Sequence, residues 1–289
     1  MTRLALALLR ALGQLPLSVA RSAGGILGAL FYLISSERRH VALTNIALCF
    51  PELTLQECKQ LARAHFGVFA QALLDRGLIW WGTSERICRV VHWVDLHHYE
   101  EAAKRRPVIL LAPHFVGLDA GGVLSTITWR IVSIYSKQKN RLFNAAVLAG
   151  RSRFNDPVLL SRQDGVRGAL RALRAGLPFY YLPDMDFGPR DAIFTPFFGV
   201  PAATVTAPAR LAKLSGALIV PCVTRMTSEG YEVRLYPAWE DFPGDDLAAA
   251  TERVNSFIEA RVREMPEQYL WTHKRFKTRP NGAKRLYPE

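Results

Sequence analysis

The chain has 289 residues, 49% of them hydrophobic, and carries 37 Lys and Arg against 25 Asp and Glu. This length and composition fit one large α/β core and leave little room for a second globular domain. The net charge of +12 favours anionic partners, among them lipid headgroups, acidic proteins and nucleic acid. Nucleic acid is disfavoured, because the basic residues are scattered and no helix-turn-helix, zinc-finger or RNA-binding pattern is present.

The four cysteines lie far apart and form no C-x-x-C pair; they are Cys49, Cys58, Cys88 and Cys222. No histidine lies at metal-ligand spacing from them. We therefore predict reduced thiols in a protein that faces the cytosol, rather than disulfides or a metal site.

The first 36 residues are strongly apolar, with interruptions at Arg10, Gln14, Pro16 and Arg21. Their longest charge-free stretch, residues 22–36, is shorter than the ~20 residues that a simple spanning helix needs. We expect a membrane-associated segment over residues 1–36, made of two amphipathic helices in the membrane interface. A spanning helix and an ordinary buried helix pair are the alternatives. Residues 37–289 are expected to form a single α/β domain.

Two helices are predicted directly after this segment. The apolar spacing over residues 39–50 is helical, and Pro51 ends it. Thr54 and Glu57 have the spacing of a capping box, which begins a helix running to about Leu78. We expect His65, on the apolar side of that helix, to be a packing residue.

The apolar run Val108–Leu111 predicts a strand buried on both faces. His114 lies just past its carboxyl end, at the edge of an open α/β sheet where ligands bind. Asp119 follows in the first turns of a predicted helix, and we expect its carboxylate to reach the imidazole. Such a contact would fix the tautomer and leave the other ring nitrogen to accept a proton. A hydrogen-bonded histidine with a purely structural role is the alternative.

No nucleophile of the protein's own accompanies this pair. The chain has no G-x-S-x-G motif, and no cysteine lies next to His114 in sequence. A histidine and carboxylate without a nucleophile suit the activation of a substrate hydroxyl. The nucleotide-binding motifs G-x-x-x-x-G-K-[ST] and G-x-G-x-x-G after a strand are also missing from the sequence.

Further strands are predicted at residues 90–94, 131–136, 177–182, 217–224 and 231–236. Helices are predicted at residues 96–104, 140–151, 165–175, 204–215 and 245–263. The alternation predicts an α/β fold with a mixed central sheet flanked by helices. The helix at residues 165–175 carries a basic face made of Arg167, Arg171 and Arg174.

The loop at residues 183–196 should leave the same edge of the sheet as His114, because the preceding helix and strand repeat the earlier arrangement. It carries Asp184 and Asp186. Two carboxylates without a further clustered ligand make a poor metal site. We predict instead that they form ion pairs with a nearby arginine or hydrogen bonds to substrate. Arg151, in the last turn of its helix, is either their partner or a solvated charge.

Two more groups have open interpretations. Phe194, Phe197 and Phe198 form an aromatic cluster that is either core or the wall of a ligand pocket. The basic patch near the C-terminus is either a solvated tail or a contact for phosphates or a partner protein; it contains Lys274, Arg275, Lys277 and Arg279.

The His-x4-Asp motif of His114 and Asp119 behind an apolar strand resembles the glycerolipid acyltransferase superfamily. Further segments narrow the resemblance to the lipid A late acyltransferases, the lauroyl and myristoyl transferases of Gram-negative bacteria. These segments are RHVALTNIALCFPELT (39–54), NRLFNAAVLAGR (140–151), PDMDFG (183–188), TPFFGVPAAT (195–204) and QYLWTHKRFKTRP (268–280). Many family members carry Glu where this chain has Asp119.

This resemblance implies an acyltransferase at the cytoplasmic face of the bacterial inner membrane. Acyl-carrier protein would donate the fatty acyl group as a thioester co-substrate, without a metal or other cofactor, and a hydroxyl of a lipid A precursor would accept it. The resemblance also implies a functional role for Arg151. Phe197 and Phe198 would then line an acyl-chain pocket, and the C-terminal patch would contact the donor or phosphates.

Two other functions remain open from the sequence. One is an acyltransferase for a different acceptor, such as a lysophospholipid or another hydroxyacyl lipid. The other is a membrane-binding protein that keeps the fold without catalysis, which the intact histidine motif argues against.

Overall fold

The computed structural model describes residues 1–161 and 165–288. The helices are α1 (Thr2–Leu12), α2 (Leu17–Ile34), α3 (Ser36–Cys49), α4 (Leu55–Trp81), α5 (Ser84–Cys88), α6 (His97–Ala103), α7 (Leu118–Thr128), α8 (Arg141–Arg151), α9 (Gly165–Arg174), α10 (Ala207–Ser215) and α11 (Leu247–Glu264). The strands are β1 (Val91–Val94), β2 (Val108–Leu111), β3 (Val132–Tyr135), β4 (Val158–Ser161), β5 (Phe179–Tyr181), β6 (Ala192–Phe197), β7 (Val200–Val205), β8 (Leu218–Met226) and β9 (Tyr231–Leu235). A short 3-10 helix covers Pro266–Gln268.

The central sheet is mixed, as predicted, with the strand order β1-β9-β8-β2-β5-β3-β4. Strands β8 and β9 pair antiparallel, and the other pairs of this sheet are parallel. β6 and β7 form a separate antiparallel hairpin. Because β2, β3 and β5 are parallel, the loops that follow them leave the same edge of the sheet.

Both faces of the sheet are covered by helices. β2 is buried along its whole length, and its side chains alternate between two hydrophobic cores. Ile109 lies in the core that contains residues of α9, α10 and α11, whereas Leu110 lies in the core that contains residues of α7. The long helix α4 contributes Phe66 to the first core and Trp80 to the second. α4 therefore passes from one face to the other.

Helix α4 begins as its sequence predicts. Thr54 and Glu57 form a complete capping box, with the backbone N–H of Thr54 donating to the Glu57 carboxylate at 2.7 Å. His65 is fully buried, and its Nδ1 lies 3.0 Å from the carbonyl oxygen of Glu267. Burial lowers its pKa to about 4, so the ring is neutral and packs in the interior.

The N-terminal segment forms two helices, of which α2 packs along α4. A Cβ added to Gly24 or Gly28 would lie 2.7 Å from Gln71 Cα or 2.5 Å from the Phe66 carbonyl oxygen, so glycine permits this close approach. Buried Arg21 pairs with Asp75 of α4 at 3.2 Å. The opposite side of these helices and the turn between them expose apolar side chains, namely Leu4, Leu8, Leu15, Val19, Ile26, Leu30, Leu33 and Ile34. Among the described residues, α2 alone is long and apolar enough to cross a membrane.

One helix starts later than predicted. Residues 192–205 form the β6–β7 hairpin, so Thr204 lies in a strand and α10 begins at Ala207. Phe198 and Gly199 occupy the two-residue turn with φ of 51° and 72°, the left-handed pair that a tight hairpin requires. Pro196 and Pro201 face each other across the hairpin and obscure its strand pattern in the sequence. Strand β4 was also not predicted.

The C-terminal segment is part of the core rather than a solvated tail. Trp271 and Phe276 are buried, with exposed fractions of 1% and 0%. Asn45 of α3 donates to the carbonyl oxygens of Trp271 and His273, each at 2.7 Å. The segment is thereby fixed against α3.

Candidate active site

A cavity of about 480 Å³ opens at the carboxyl edge of β2, β3 and β5. Its walls come from α4, the loops that follow these strands, and the ends of α8, α9 and α10. The apolar part of the wall includes Phe69, Leu73, Ile134, Leu182, Val205 and Leu211. The charged and titratable side chains include Arg76, His114, Asp119, Arg151 and Arg190.

His114 forms its side-chain hydrogen bond with Asp184. The Nδ1 atom of His114 lies 2.7 Å from Asp184 Oδ1, and the backbone N–H of His114 donates to Oδ2 at 3.0 Å. Asp184 follows β5 and reaches His114 because β5 pairs in parallel with β2. A carboxylate only accepts hydrogen bonds, so Nδ1 carries the proton and Nε2 is left as the basic nitrogen. The predicted departure of this loop from the edge of His114 is confirmed.

Asp119 does not contact the imidazole, so the predicted pairing was wrong. Its Oδ1 accepts hydrogen bonds from Arg151 Nε and Nη2 at 3.0 and 2.5 Å. Its Oδ2 lies 2.7 Å from Arg76 Nε. The first turn of α7 packs near α4 and α8, which supply these arginines, and both carboxylate oxygens are occupied by guanidinium groups. Arg151 therefore pairs with Asp119 rather than with Asp184 or Asp186.

Both buried carboxylates keep their charge. Burial alone would raise the pKa of Asp119, but the Arg151 and Arg76 guanidinium groups outweigh it and lower the pKa to about 2. For Asp184, burial also acts to raise the pKa, and interaction with His114 outweighs it and lowers the pKa below its usual value. Two guanidinium groups around one carboxylate leave an excess of positive charge in the cavity wall.

Asp186 lies outside the cavity, contrary to the predicted substrate contact. Its carboxylate accepts hydrogen bonds from the backbone N–H and the hydroxyl of Thr278 at 2.6 and 2.7 Å. Its own backbone N–H donates to His273 Nε2 at 3.0 Å. Burial, then the nearby His114, lowers the pKa of His273 to about 4, so the ring is a neutral acceptor. Asp186 thus joins the loop after β5 to the C-terminal segment.

Phe197 and Phe198 are also misplaced by the sequence prediction. Phe197 is fully buried, and its ring centroid lies 5.9 Å from Tyr269 and 6.2 Å from Phe276. Phe198, in the hairpin turn, packs against Phe50 with ring centroids 5.1 Å apart. Phe197 belongs to the core and Phe198 packs against it, so neither lines the cavity. The hairpin instead contributes Val205, at the end of β7, to the cavity wall.

Three of the four predicted C-terminal contacts are occupied within the protein. Arg275 is 2% exposed and donates to the Ala203 carbonyl and the Thr204 hydroxyl at 3.0 and 2.9 Å. Lys274 pairs with Glu37 at 2.9 Å, and Arg279 donates to the Pro201 carbonyl at 2.9 Å. Lys277 is exposed. Burial therefore removes Arg275 from any partner contact, whereas the role of the other three stays a prediction.

Sequence reasoning missed Arg76 and Arg190. Arg76 lies in the last two turns of α4, far along the chain from the histidine motif, and its only local signal is a charged pair, Asp75 and Arg76, within an apolar helix face. Arg190 lies in the loop after β5 and lines the cavity. Within residues 1–161 and 165–288, no group of three or more His, Cys, Asp or Glu side chains is placed to hold a metal ion.

The fold and site define an α/β protein whose apolar cavity combines a histidine–carboxylate pair with an arginine-rich wall. The family model described as bacterial lipid A biosynthesis acyltransferase matches residues 1–278. The chain belongs to this family and is an acyltransferase, so the resemblance stated above is confirmed.

Two lipid A acyltransferases of Escherichia coli agree with this assignment. The chain is 33% identical over 278 residues to the lipid A biosynthesis lauroyltransferase of Escherichia coli K12, covering 95% of this chain and 90% of that protein. Identity to the lipid A biosynthesis myristoyltransferase of the same organism is 31% over 264 residues, covering 88% and 81%. A crystal structure of a 1-acyl-sn-glycerophosphate acyltransferase from Thermotoga maritima aligns with a TM-score of 0.39 at 12% identity, covering 85% of this chain and 98% of that one.

Proposed function

We propose that this protein transfers a fatty acyl chain from acyl-carrier protein to a hydroxyl of a lipid A precursor. The observation that carries the proposal is the 2.7 Å contact between His114 Nδ1 and Asp184 at the wall of an apolar cavity. It supplies a base for a hydroxyl substrate beside a space suited to a hydrocarbon chain. Membership of the lipid A acyltransferase family supports the choice of acceptor.

The reaction starts with proton transfer to His114. Nε2 accepts the proton of the acceptor hydroxyl while that oxygen attacks the thioester carbonyl carbon. Asp184 holds the ring in the required tautomer and stabilises the imidazolium that forms. The tetrahedral intermediate then breaks its C–S bond, and the imidazolium returns the proton to the leaving thiolate. The products are an ester and the free carrier thiol, and no metal or nucleotide is required.

The arginines of the cavity wall act on negative charge. Asp119 holds Arg76 and Arg151 in place and neutralises only one of the two guanidinium groups. The remaining positive charge can stabilise the oxyanion of the intermediate or bind a phosphate of the acceptor. An effect on kcat with an unchanged KM for the lipid would identify the first role, and an effect on that KM would identify the second.

The exposed apolar surface of the N-terminal helices supports a membrane location for the site. Their exposed apolar side chains give α1 and α2 a surface suited to the acyl layer, and Arg3 and Arg10 on α1 can reach anionic headgroups. We propose the cytoplasmic face of the inner membrane, where acyl-carrier protein is present. The apolar cavity wall, with Leu73 and Ile134 among its residues, would hold the transferred chain.

Mass spectrometry of the product tests donor and acceptor together. Purified protein is incubated with acyl-carrier proteins of several chain lengths and a tetra-acylated, Kdo-bearing lipid A precursor, with a lysophospholipid as the competing acceptor. We expect the precursor to gain the mass of one acyl chain. Acylation of the lysophospholipid alone would identify a different acceptor, and no transfer to either would contradict the proposal.

A further inference from the structure

Helices α9 and α10 present a basic surface beside the cavity. Together they carry five basic residues and no acidic one: Arg167, Arg171, Arg174, Arg210 and Lys213. All five are exposed. Arg210 lies 3.5 Å from Asp191, a weak surface pair. We call these five residues the α9–α10 basic surface.

This surface begins at the cavity and continues along the flank of the sheet. Val166 and Ala169, in the first half of α9, line the cavity, as does Leu211 of α10. Ala169 and Leu173 are buried in the core, so the outer side of α9 carries the arginines at helical spacing. From Arg167 to Arg174 the stripe is about 10 Å long, at 1.5 Å per residue. A stripe of this length suits a helix of an acidic protein better than a single phosphate.

The apolar N-terminal surface lies on helices that pack against α4, and α4 supplies one wall of the cavity. α2 packs against α4 and α3, and α1 packs against α4 and α8. α9 and α10 pack against each other, the sheet and α11. Because α4 supplies one wall of the cavity and α9 and α10 supply another, the membrane-facing side and the basic side are separate.

We propose that acyl-carrier protein docks on the α9–α10 basic surface and delivers its thioester past the start of α9, while the lipid acceptor enters from the α1–α2 side. This inference rests on the proposed function. Carrier proteins are acidic and present the acyl group on a flexible phosphopantetheine arm, which matches an exposed basic stripe that leads to a cavity. The C-terminal basic residues fit this role less well, since Lys274, Arg275 and Arg279 are engaged within the protein.

A matched pair of double variants tests the docking surface. Arg171 and Arg174 are changed to Glu, and the control changes Arg89 and Lys104, two exposed residues after α5 and α6, to Glu. Both double variants alter the net charge equally, and neither touches the cavity. At saturating lipid acceptor we expect R171E/R174E to raise the KM for acyl-carrier protein about tenfold and to flatten its dependence on salt. The kcat of R171E/R174E should stay within about twofold of wild type. Both kcat and the KM for acyl-carrier protein should do so in the control variant.

Separate measurements distinguish the docking inference from the proposed function. Binding of acyl-carrier protein is followed by titration calorimetry, and binding to phosphatidylglycerol vesicles by flotation. A carrier KM and affinity equal to those of the control would overturn the docking inference while leaving the reaction intact. A loss confined to vesicle binding or to the lipid KM would also overturn it, since the surface would then contact lipid. If wild type transfers no acyl group, the proposed function fails, and the calorimetric comparison alone decides the docking.

Discussion

Two buried aspartates lie near the cavity and have different partners: Asp119 lines the cavity, whereas Asp184 contacts His114 in its wall. Asp184 binds the imidazole of His114, whereas Asp119 binds the guanidinium groups of Arg76 and Arg151. Sequence distance gives the opposite expectation, because Asp119 lies five residues from the histidine and Asp184 lies 70 residues away. The partner of each carboxylate is decided by which elements pack around it. β5 brings Asp184 to β2, and the start of α7 meets α4 and α8.

The difference separates two chemical tasks. Asp184 has one partner, an imidazole that takes up a proton in the proposed reaction. Asp119 has two guanidinium partners that take no part in proton transfer. We therefore expect Asp184 to act on proton transfer and Asp119 to act on the position of the positive charges. The following predictions test this division, beginning with the largest effect.

Replacing His114 removes the group on which the first task depends. His114→Ala should lower kcat by about 10³-fold, within the usual range for loss of a general base. His92→Ala, at an exposed histidine, is the control and should retain wild-type activity. Thermal unfolding shows whether both variants fold. Transfer within tenfold of wild type by a folded His114→Ala protein would rule out the mechanism.

The two aspartates are compared through the same substitution. Asp184→Asn should lower kcat about 10²-fold, because the amide keeps the shape but loses the charge that stabilises the imidazolium. Asp119→Asn should lower kcat less and should lower stability more, since it leaves two partly buried guanidinium groups with a neutral partner. Kinetics and urea unfolding of both variants are measured side by side. The reverse ranking of kcat would assign the imidazole to Asp119 during catalysis.

The architecture was largely predictable, whereas the partners within the site were not. Alternating apolar segments predicted the mixed α/β sheet, and the apolar run before His114 located the edge of the sheet where the cavity opens. The motif residues His114 and Asp119 both line the cavity, as does Arg151, and Asp184 contacts His114 beside it. Their pairing depends on the packing of α4 and α8 against α7, which no local pattern encodes. Phe197 and Arg275 were misassigned because residue type does not tell whether a side chain faces the core.

The pH dependence of stability in acid should reveal the contribution of the Asp119 carboxylate. The pKa of Asp119 is about 2 in the folded protein, whereas an aspartate without these contacts has a pKa of 3.8. The folded state thus binds fewer protons between these values, so the stabilisation is fully present above about pH 4 and is lost as the pH falls through 2. As the pH falls from about 4 to 2, the difference in unfolding free energy between wild type and Asp119→Asn should shrink by about 2 kcal/mol. Urea unfolding at several pH values measures it.

An exposed ion pair provides the control for this pH series. Asp156 pairs with Arg130 on the surface, with side-chain exposures of 92% and 57%. Asp156→Asn should therefore leave the acid dependence of stability almost unchanged. A wild-type curve that parallels the Asp119→Asn curve through the whole window would show that the two arginines do not hold the charge of Asp119.

The smallest expected effect belongs to Arg76, which lies in α4 with its side chain 26% exposed. Arg76→Gln should lower kcat/KM about tenfold, which corresponds to about 1.4 kcal/mol, because one cation is removed from the cavity wall. Arg63→Gln on the same helix is the control, since Arg63 lies over the Tyr32 ring outside the cavity. Arg76→Lys should recover part of the activity by restoring the charge without the planar fork.

A double-mutant cycle then decides whether Arg76 and Asp119 act as one unit. If Asp119 serves by holding the arginine, the variant with both Arg76→Gln and Asp119→Asn should lose less activity than the sum of the two single losses. Thermal unfolding of all three proteins separates this coupling from a common loss of stability. Additive effects on kcat/KM, or a fall in stability with normal kcat/KM for Arg76→Gln, would make Arg76 a structural partner only. The division of tasks between the two aspartates would then rest on Arg151 alone.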